Sequence, residues 1–342
     1  MKHFKSSPIY SRLGDEKSRY LFEVCLRYRF NNELKLYNIH RKSTARKKLK
    51  EIKKDIYMFG AGYYGHLYVN VFSDIPWCAF IDNDNSKVGK PDILPIISFQ
   101  EFIKNSENSI VFIPNSPFWI EMKRQLINSG FSEDSIIGNY EDSTLNNSGS
   151  RSFFGTQYFD LSYFKPQKKE FFIDAGGYDG YTTQCFFNWL GNSLGRSIIF
   201  EPNNIQYEFC KNNMQNYDNV KIVNKGLWHK KETLKFRNSN ASSRVNSDGE
   251  EIIEAISLDE ELKNEQEPIT FIKMDIEGAE LNALKGAERI IKEQKPKLAI
   301  SIYHKPADVL EIPSLLLDYV PDYKFYIRHY SISTWEIVLY AI

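Results

Sequence analysis

The residues best suited to chemistry form a glycine-rich segment, DAGGYDG at residues 174–180, directly after the apolar run 171–174. This pattern predicts a strand, a tight turn and a helix that begins near residue 182. Glycines let the backbone approach a ligand closely, and the amides at a helix N-terminus suit a carboxylate. Glu201 ends the next predicted strand, 25 residues after Gly176. An acidic residue there can accept hydrogen bonds from both ribose hydroxyls.

The spacing of this turn, D-x-G-x-x-x-G, differs from the three-glycine form that suits a pyrophosphate. An acidic residue just before the glycines suits a ligand with an ammonium group. S-adenosylmethionine has an ammonium group, a carboxylate and a ribose, but no phosphate. The sequence therefore predicts S-adenosylmethionine as the cofactor, bound by Asp174, Gly176 and Glu201. The further residues expected to bind it are Gly177, Tyr178, Asn203, Lys225 and Asp275.

Two polar residues at the ends of later strands are candidates for the reaction itself. Asp275 ends the predicted strand 269–274, and His304 ends the predicted strand 297–303. Methyl transfer to a hydroxyl requires a positioned acceptor and removal of its proton, and a histidine near neutral pKa suits that task. We expect His304 to be the base, with a structural histidine as the alternative. Asp275 would orient it, hold the acceptor or contact the cofactor.

The same region raises the question of a metal ion. Asp275 and Glu277 could bind a divalent ion, but the sequence alone shows no cluster of three oxygen ligands, so it predicts no metal site. Glu277 and Glu280 start the next predicted helix, where carboxylates favour the helix dipole, and we interpret both as structural. His329, at the end of the predicted strand 324–329, could line the acceptor pocket, but a structural role is the favoured interpretation.

The elements that must position these residues alternate between strands and helices, which predicts a parallel sheet with crossovers. Five parallel strands and a C-terminal antiparallel hairpin match the strand plan of the class I methyltransferase sheet. We expect a loop or an inserted hairpin at residues 229–254. The predicted strands are 171–174, 197–200, 220–224, 269–274 and 297–303, with the hairpin strands 324–329 and 335–341.

A second glycine pattern precedes this series. Gly60, Gly62 and Gly65 follow an apolar strand and open a helix, and Asp82 ends the next strand, 22 residues after Gly60. This is the G-x-G-x-x-G fingerprint with its ribose-binding acid. The unit resembles the small Rossmann-like domains of nucleotide-sugar enzymes, so these four residues are candidates for contacts with a nucleotide or substrate. A purely structural domain is the alternative.

The fold class is therefore α/β, with two tandem doubly wound Rossmann-like domains. We expect a helical arm over 1–54, a small Rossmann-like domain over 55–150 and a methyltransferase domain over 151–342. The Ser- and Asn-rich segment 141–152 marks the domain boundary. The arm has 16 Lys and Arg against 5 Asp and Glu, a local charge of +11, whereas the whole chain is neutral. A solvated helical face or a surface for phosphates or an anionic membrane would explain this charge.

The four cysteines show neither C-x-x-C spacing nor a neighbouring histidine at zinc-finger spacing. A structural zinc site and a disulfide framework are thus disfavoured, and a reducing, cytoplasmic location fits best. The sequence shows no signal-peptide pattern and no apolar run of about 18 residues. We therefore expect no transmembrane segment, while a peripheral membrane contact stays open.

Four segments resemble the FkbM-type methyltransferase family. They are FFIDAGGYDGYTT at 171–183, IIFEPNN at 198–204, ISLDEEL at 256–262 and IKMDIEGAELNALKGAERII at 272–291. The similarity covers residues 157–342, and the D-x-E-G-A-E element is its most specific part. It implies an S-adenosylmethionine-dependent O-methyltransferase that acts on a sugar or another secondary metabolite. We expect a small-molecule or glycan acceptor, such as a nucleotide- or lipid-linked sugar, and a role in polysaccharide biosynthesis.

Other functions fit this sequence less well. An NAD-dependent or nucleotide-sugar-binding enzyme built on the first domain is the alternative, although the expected Tyr-x-x-x-Lys pair is missing there. A nucleic-acid methyltransferase would need an [N/D/S]-P-P-[Y/F] element in the second domain, which is also missing, so we expect no nucleic-acid partner. The intact glycine turn with Glu201 disfavours an inert binding module.

Overall fold

The structure, a computed structural model, describes residues 7–31, 44–114, 118–138, 157–159, 161–237, 244–245, 251–330 and 335–342. The chain divides into two compact units. The small unit is Leu34–Phe154, and the large unit combines Met1–Glu33 with Gly155–Ile342. The predicted boundary segment 141–152 lies outside the described residues. The sequence predicts a separate arm over residues 1–54, whereas the structure divides that stretch between the two units.

The N-terminal helices explain this division. Helix α1 is Pro8–Arg12 and α2 is Glu16–Asn31. Asp15 directly precedes α2 and accepts a hydrogen bond from the Ser18 amide at 2.8 Å, as helix-capping side chains do. The Ser18 hydroxyl accepts from the Ile327 amide at 2.9 Å, and Arg328 pairs with Asp15 at 2.6 Å. These bonds join the start of α2 to a strand near the end of the chain.

The small unit is a parallel sheet flanked by helices. Its described elements are α3 (Thr44–Glu51), β1 (Asp55–Phe59), α4 (Tyr63–Val71), β2 (Trp77–Asp82), β3 (Ile96–Ser98), α5 (Phe99–Lys104), β4 (Ser109–Ile113), α6 (Trp119–Asn128) and β5 (Ile136–Gly138). The order of the described strands is β3-β2-β1-β4-β5, and all neighbouring pairs are parallel. The predicted alternation is confirmed. Strand β3 was not predicted, because three residues are too few to show a periodic pattern.

The large unit continues from β6 in the same alternating manner. Its first elements are β6 (Lys169–Ala175), α7 (Tyr181–Leu190), β7 (Leu194–Phe200), α8 (Asn204–Met214) and β8 (Val220–Val223). The short strands β9 (Gly226–Leu227), β10 (Glu232–Arg237), β11 (Arg244–Val245) and β12 (Glu251–Ile256) come next, followed by α9 (Leu258–Glu261). The last elements are β13 (Phe271–Met274), α10 (Glu280–Lys285), α11 (Glu288–Gln294), β14 (Lys297–Ser301), α12 (Asp308–Tyr319), β15 (Phe325–His329) and β16 (Ile337–Ala341).

The main sheet of this unit has the order β15-β16-β14-β13-β6-β7-β8 among the described strands. Strand β16 runs antiparallel to both β14 and β15, and the other described pairs are parallel. This confirms the predicted fold class and the C-terminal hairpin. Because β6 and β13 are neighbours, the turn after β6 and the residues after β13 meet at one edge of the sheet.

Strands β9 to β12 form a second, small sheet in the order β11-β10-β12-β9. Strands β10 and β12 pair antiparallel, so the inserted hairpin, one of the two predicted alternatives for residues 229–254, is confirmed. Alternating exposure marks β12: Ile253 and Ala255 are buried, whereas Ile252 is 71% exposed.

Aromatic packing fixes the strands that support the site. The Phe172 and Phe186 rings stack with centroids 4.6 Å apart, and the Phe271 ring lies 5.2 Å from Phe172. All three side chains are fully buried. Burying each of these rings contributes about 1.5–3 kcal/mol, which holds β6, α7 and β13 in fixed positions. In the described part of the chain, no helix is both long and apolar enough to cross a membrane.

Candidate functional site

The glycine turn after β6 lies directly against the residue that follows β13. Gly176 has φ +76°, a region that residues with a Cβ rarely adopt. A Cβ on Gly176 would lie 2.0 Å from the carbonyl oxygen of Asp275. Only glycine therefore permits this approach. The predicted cofactor turn, at Gly176, therefore contacts the backbone of Asp275, the residue predicted to act in the reaction.

Asp174 lies beneath this turn and is fully buried. Its Oδ1 is 3.0 Å from Lys273 Nζ, and its Oδ2 accepts a hydrogen bond from the Thr183 hydroxyl at 2.9 Å. We predicted that Asp174 faces the ammonium group of the cofactor. The structure instead gives it two internal partners, because its side chain points under the turn towards β13. Asp174 supports the turn from below.

Lys273 was missed by the sequence analysis. Its Nζ donates to Asp174 and also to the carbonyl oxygens of Ala175, at 3.2 Å, and Gly176, at 2.8 Å. Burial lowers the pKa of Lys273, but the charges of Asp174 and Asp275 outweigh burial and raise it. A lysine inside the apolar run of β13 could have indicated this role from the sequence, since a buried lysine needs a charged partner. This ammonium group fixes the backbone of the cofactor turn.

Glu201 is only 7% exposed and closes the other side of the turn. Its Oε2 accepts from the Tyr178 amide at 3.0 Å, and its Oε1 accepts from the Asn203 amide at 2.9 Å. Burial raises the pKa of Glu201 to about 7. Each carboxylate oxygen can accept a second hydrogen bond. The carboxylate can therefore still accept a hydrogen bond from each of the two ribose hydroxyls of the predicted cofactor.

Three other predicted cofactor residues surround this carboxylate or follow it. Tyr178 has φ +51° and an exposed side chain, so it projects from the turn. The Asn203 side chain caps α8, because its Oδ1 accepts from the amides of Ile205 and Gln206, both at 3.0 Å. Lys225 pairs with Glu261 at 3.1 Å. Asn203 and Lys225 thus have side-chain partners within the chain, and their contacts with the cofactor stay a prediction.

Asp275 is the centre of a polar cluster beside the turn, and its side chain is 23% exposed. Its Oδ2 accepts from the Tyr158 hydroxyl at 2.8 Å, and its Oδ1 accepts from the Tyr303 hydroxyl at 3.1 Å. Burial raises its pKa, but the charges of His304 and Lys273 outweigh burial and hold the pKa of Asp275 below its ordinary value. The carboxylate is therefore ionised near neutral pH. The sequence analysis missed Tyr158, since no local pattern connects it to Asp275.

His304 lies against three carboxylates. Its Nδ1 is 2.9 Å from Glu280 Oε1, and its Nε2 is 3.5 Å from Glu277 and 3.6 Å from Asp275. Burial lowers the pKa of His304, but Glu280 and the other two carboxylates outweigh burial and raise it to about 9. The raised pKa disfavours the prediction of a histidine that titrates near neutral pH, because the three carboxylates favour the protonated ring. In that state it cannot remove a proton from an acceptor.

Glu280 is fully buried at the start of α10, and its Oε1 accepts from the Ile276 amide at 2.8 Å. Ligand atoms of Asp275, Glu280 and His304 all lie within 4.8 Å of one another. The sequence predicted no metal site because it showed no three-ligand cluster, and the structure contains such a cluster. The spacing D-x-E-x-x-E at 275–280 was its local signal, and the third partner, His304, comes from a different strand.

The remaining predicted residues lie elsewhere. His329 is buried at the end of β15, which β16 separates from β14. In the small unit, Gly60 has φ +100°, and a Cβ on Gly65 would lie 1.9 Å from the Gly60 carbonyl oxygen. Asp82 accepts from the Ala61 amide at 2.8 Å. The structure thus brings the second glycine motif and its acid together in one turn, which Gly62 closes as the N-cap of α4.

Residues 174–325 match the family model described as the methyltransferase FkbM domain, and no curated protein matches the chain. The structure of methyltransferase FkbM from Methylobacillus flagellatus KT is 19% identical, with a TM-score of 0.51, and the match covers 93% of this chain and 100% of that one. This likeness shows a shared fold. Two further solved structures match with lower TM-scores. Fibrillarin from Aeropyrum pernix with bound S-adenosyl-L-methionine has a TM-score of 0.36 at 10% identity, covering 55% of this chain and 73% of that one. The O-methyltransferase from Bacillus cereus in complex with SAH has a TM-score of 0.34 at 14% identity, covering 71% and 96%.

The family match and the geometry of the turn agree. The glycine turn and Glu201 fit a ligand with a ribose, and S-adenosylmethionine is the cofactor that a methyltransferase domain with this turn implies. Residues 174–325 of the chain therefore match the methyltransferase FkbM domain in sequence, and the geometry of the glycine turn agrees with that match.

Proposed function

We propose that the protein transfers a methyl group from S-adenosylmethionine to a hydroxyl of a sugar or glycan precursor. The observation that carries this proposal is the position of Asp275. Its backbone touches the cofactor turn at Gly176, and its partly exposed carboxylate accepts hydrogen bonds from two tyrosine hydroxyls. A carboxylate beside the cofactor turn suits a hydroxyl acceptor, because it can accept the hydrogen bond of that hydroxyl.

The chain's own residues would divide the work as follows. Glu201 and the backbone of the glycine turn hold the ribose and the main body of the cofactor, which supplies an electrophilic methyl group. Lys273 and Asp174 keep the turn rigid from below. Most of the rate enhancement then comes from holding acceptor and methyl group in line.

The acceptor hydroxyl must lose its proton during transfer. The carboxylates around His304 favour its protonated ring in the absence of a cation, so Asp275 replaces it as the proposed proton acceptor. Tyr158 and Tyr303 orient the Asp275 carboxylate through their hydrogen bonds. A carboxylate with a low pKa is a weak base, so the acceptor hydroxyl needs further activation if its proton is to leave readily.

The glycine turn of the small unit bears on whether the acceptor sugar is linked to a nucleotide. Its glycine turn, with Asp82 bound to the Ala61 amide, has the arrangement of a nucleotide-binding turn. We propose that it recognises the carrier of a nucleotide-linked sugar. A role in polysaccharide biosynthesis and a cytoplasmic location follow from such a substrate.

The test uses the full chain and S-adenosylmethionine with an isotope-labelled methyl group. Acceptors would include nucleotide-linked sugars, free oligosaccharides, a catechol and duplex RNA. We expect label in an O-methyl group of a sugar, identified by NMR of the product. Label on nitrogen, on carbon or in the RNA would contradict the proposal.

A further inference from the structure

We propose that Asp275, Glu280 and His304 bind a divalent cation of the Mn²⁺ or Mg²⁺ class beside the cofactor turn. The binding site stands on the geometry of these residues alone. Its role in catalysis rests on the function proposed above.

The distances fit one ion. In an octahedral complex with bonds of about 2.1 Å, neighbouring ligand atoms lie about 3 Å apart and opposite ones about 4.2 Å apart. The ligand atoms of the three side chains lie within 4.8 Å of one another, and the His304 Nε2 to Asp275 Oδ1 distance is 3.6 Å. Small side-chain adjustments would therefore bring all three onto one cation.

Polar atoms without hydrogen bonds point to the same place. Glu280 is fully buried, and among the described residues its Oε2 has no hydrogen-bond partner. Both ring nitrogens of His304 also lack a hydrogen bond of good geometry within the described chain, although carboxylates lie close to them. Buried polar atoms are nearly always satisfied. A cation that replaces the proton on one ring nitrogen of His304 and binds the Glu280 carboxylate would satisfy both side chains, and the other ring nitrogen can still donate to a neighbouring carboxylate.

The charge of the cluster favours a dication. Asp275, Glu277 and Glu280 surround one imidazole, which balances a single negative charge at most. Lys273, on β13 two residues before Asp275, already pairs with Asp174. Three carboxylates around one imidazole, with Glu280 fully buried, are costly without matching positive charge. A divalent ion would supply that charge.

Hydrogen bonds from neighbouring residues already orient two of the proposed ligands. Tyr158 and Tyr303 hold the Asp275 carboxylate, and the Ile276 amide holds Glu280. Such outer contacts orient the ligands of metal sites. Two of the three ligands are carboxylates, which suit Mn²⁺ and Mg²⁺. A bound cation would hold the acceptor oxygen and make its proton easier to remove. This provides the activation that a weak carboxylate base requires.

The experiment measures binding of Mn²⁺ alone to the chelator-treated full chain, by EPR of the free ion and by calorimetry. Mg²⁺ and Zn²⁺ would then compete against the bound Mn²⁺. We expect one Mn²⁺ per chain, with affinity at least about 10-fold weaker in the Asp275→Asn and His304→Gln variants. The matched control is Glu293→Gln, an exposed carboxylate on α11 that should leave the affinity unchanged.

Thermal melting would establish that each variant is folded. If His304→Gln does not fold, Asp275→Asn still decides the question, because the Asp275 side chain is partly exposed. The proposal is overturned if no stoichiometric site exists, or if the Asp275 and Glu293 variants bind Mn²⁺ equally. Methyl transfer plays no part in this readout, so a stoichiometric site in a protein that methylates no sugar would refute the proposed function and leave the cation site standing.

Discussion

Lys273 Nζ lies 3.0 Å from Asp174 Oδ1, and both side chains are buried beneath the cofactor turn. The same ammonium group reaches the carbonyl oxygen of Gly176 at 2.8 Å. One ion pair therefore links two neighbouring strands to the turn between β6 and α7. The geometry of the cofactor turn therefore depends on an ion pair that is buried beneath it.

Replacing Lys273 with Met should leave Asp174 as an uncompensated buried charge. We expect a loss of about 3–5 kcal/mol in the free energy of unfolding, measured by urea denaturation. The double variant Asp174→Asn with Lys273→Met should recover part of that loss, since neither charge remains. The control, Lys285→Met, removes an exposed lysine of α10. A loss below about 1 kcal/mol for Lys273→Met would contradict this account.

Replacing Glu201 with Ala should weaken cofactor binding. The change leaves the ribose hydroxyls and the Tyr178 amide without their acceptor, at about 1–3 kcal/mol. Calorimetry with S-adenosylmethionine should show a dissociation constant about 5- to 150-fold higher. Glu208→Ala, an exposed glutamate on α8, is the matched control. Equal affinities in the two variants would mean that Glu201 does not bind the cofactor.

The docking of the N-terminal helices should depend on pH through Asp15. Burial raises the pKa of Asp15, but hydrogen bonds from Arg328 and Ser18 outweigh burial and lower it from 3.8 to about 2. A lowered pKa stabilises the fold above the unfolded value, and this contribution disappears as the pH falls through about 4 to 2.

Asp15→Asn should therefore lower the free energy of unfolding by about 1–3 kcal/mol at pH 7. The difference from wild type should shrink towards zero below about pH 2–4. Glu16→Gln, on the exposed neighbour, should show no such difference. Chemical denaturation across this pH range checks both variants. A difference that stays constant with pH would exclude the ion pair as its cause.

Gly62→Val tests the small unit. No described atom lies within 4 Å of a Cβ at this position, so the substitution should leave the fold intact. If the turn holds the carrier of a nucleotide-linked sugar, the KM for that acceptor should rise several-fold, with unchanged affinity for S-adenosylmethionine. The same sugar without its nucleotide is the control acceptor, and its KM should stay constant. An unchanged KM for the nucleotide-linked sugar would assign the turn a structural role.

The sequence predicted those parts of the site that local chain chemistry determines. Gly176 and Glu201 were found because a turn after an apolar run and an acid at the next strand end are local patterns. The orientation of the Asp174 side chain could not be predicted, since a side chain at a strand end can point towards the ligand or towards the layer beneath the turn. The protonation of His304 depends on Glu280 and Asp275, which approach it only after β13 and β14 pair. Such effects arise from tertiary contacts.

The contact between Ser18 and Ile327 joins residues that are 309 positions apart in the chain. The Gly14 amide also donates to the carbonyl oxygen of Phe325, on the outermost described strand of the main sheet. During synthesis, the apolar face of α2 stays exposed until the last strands have been made. Contacts over such long sequence separations slow folding, and the exposed apolar surface can bind other chains and aggregate. The N-terminal helices are therefore the segment for which we expect the newly made chain to need a chaperone.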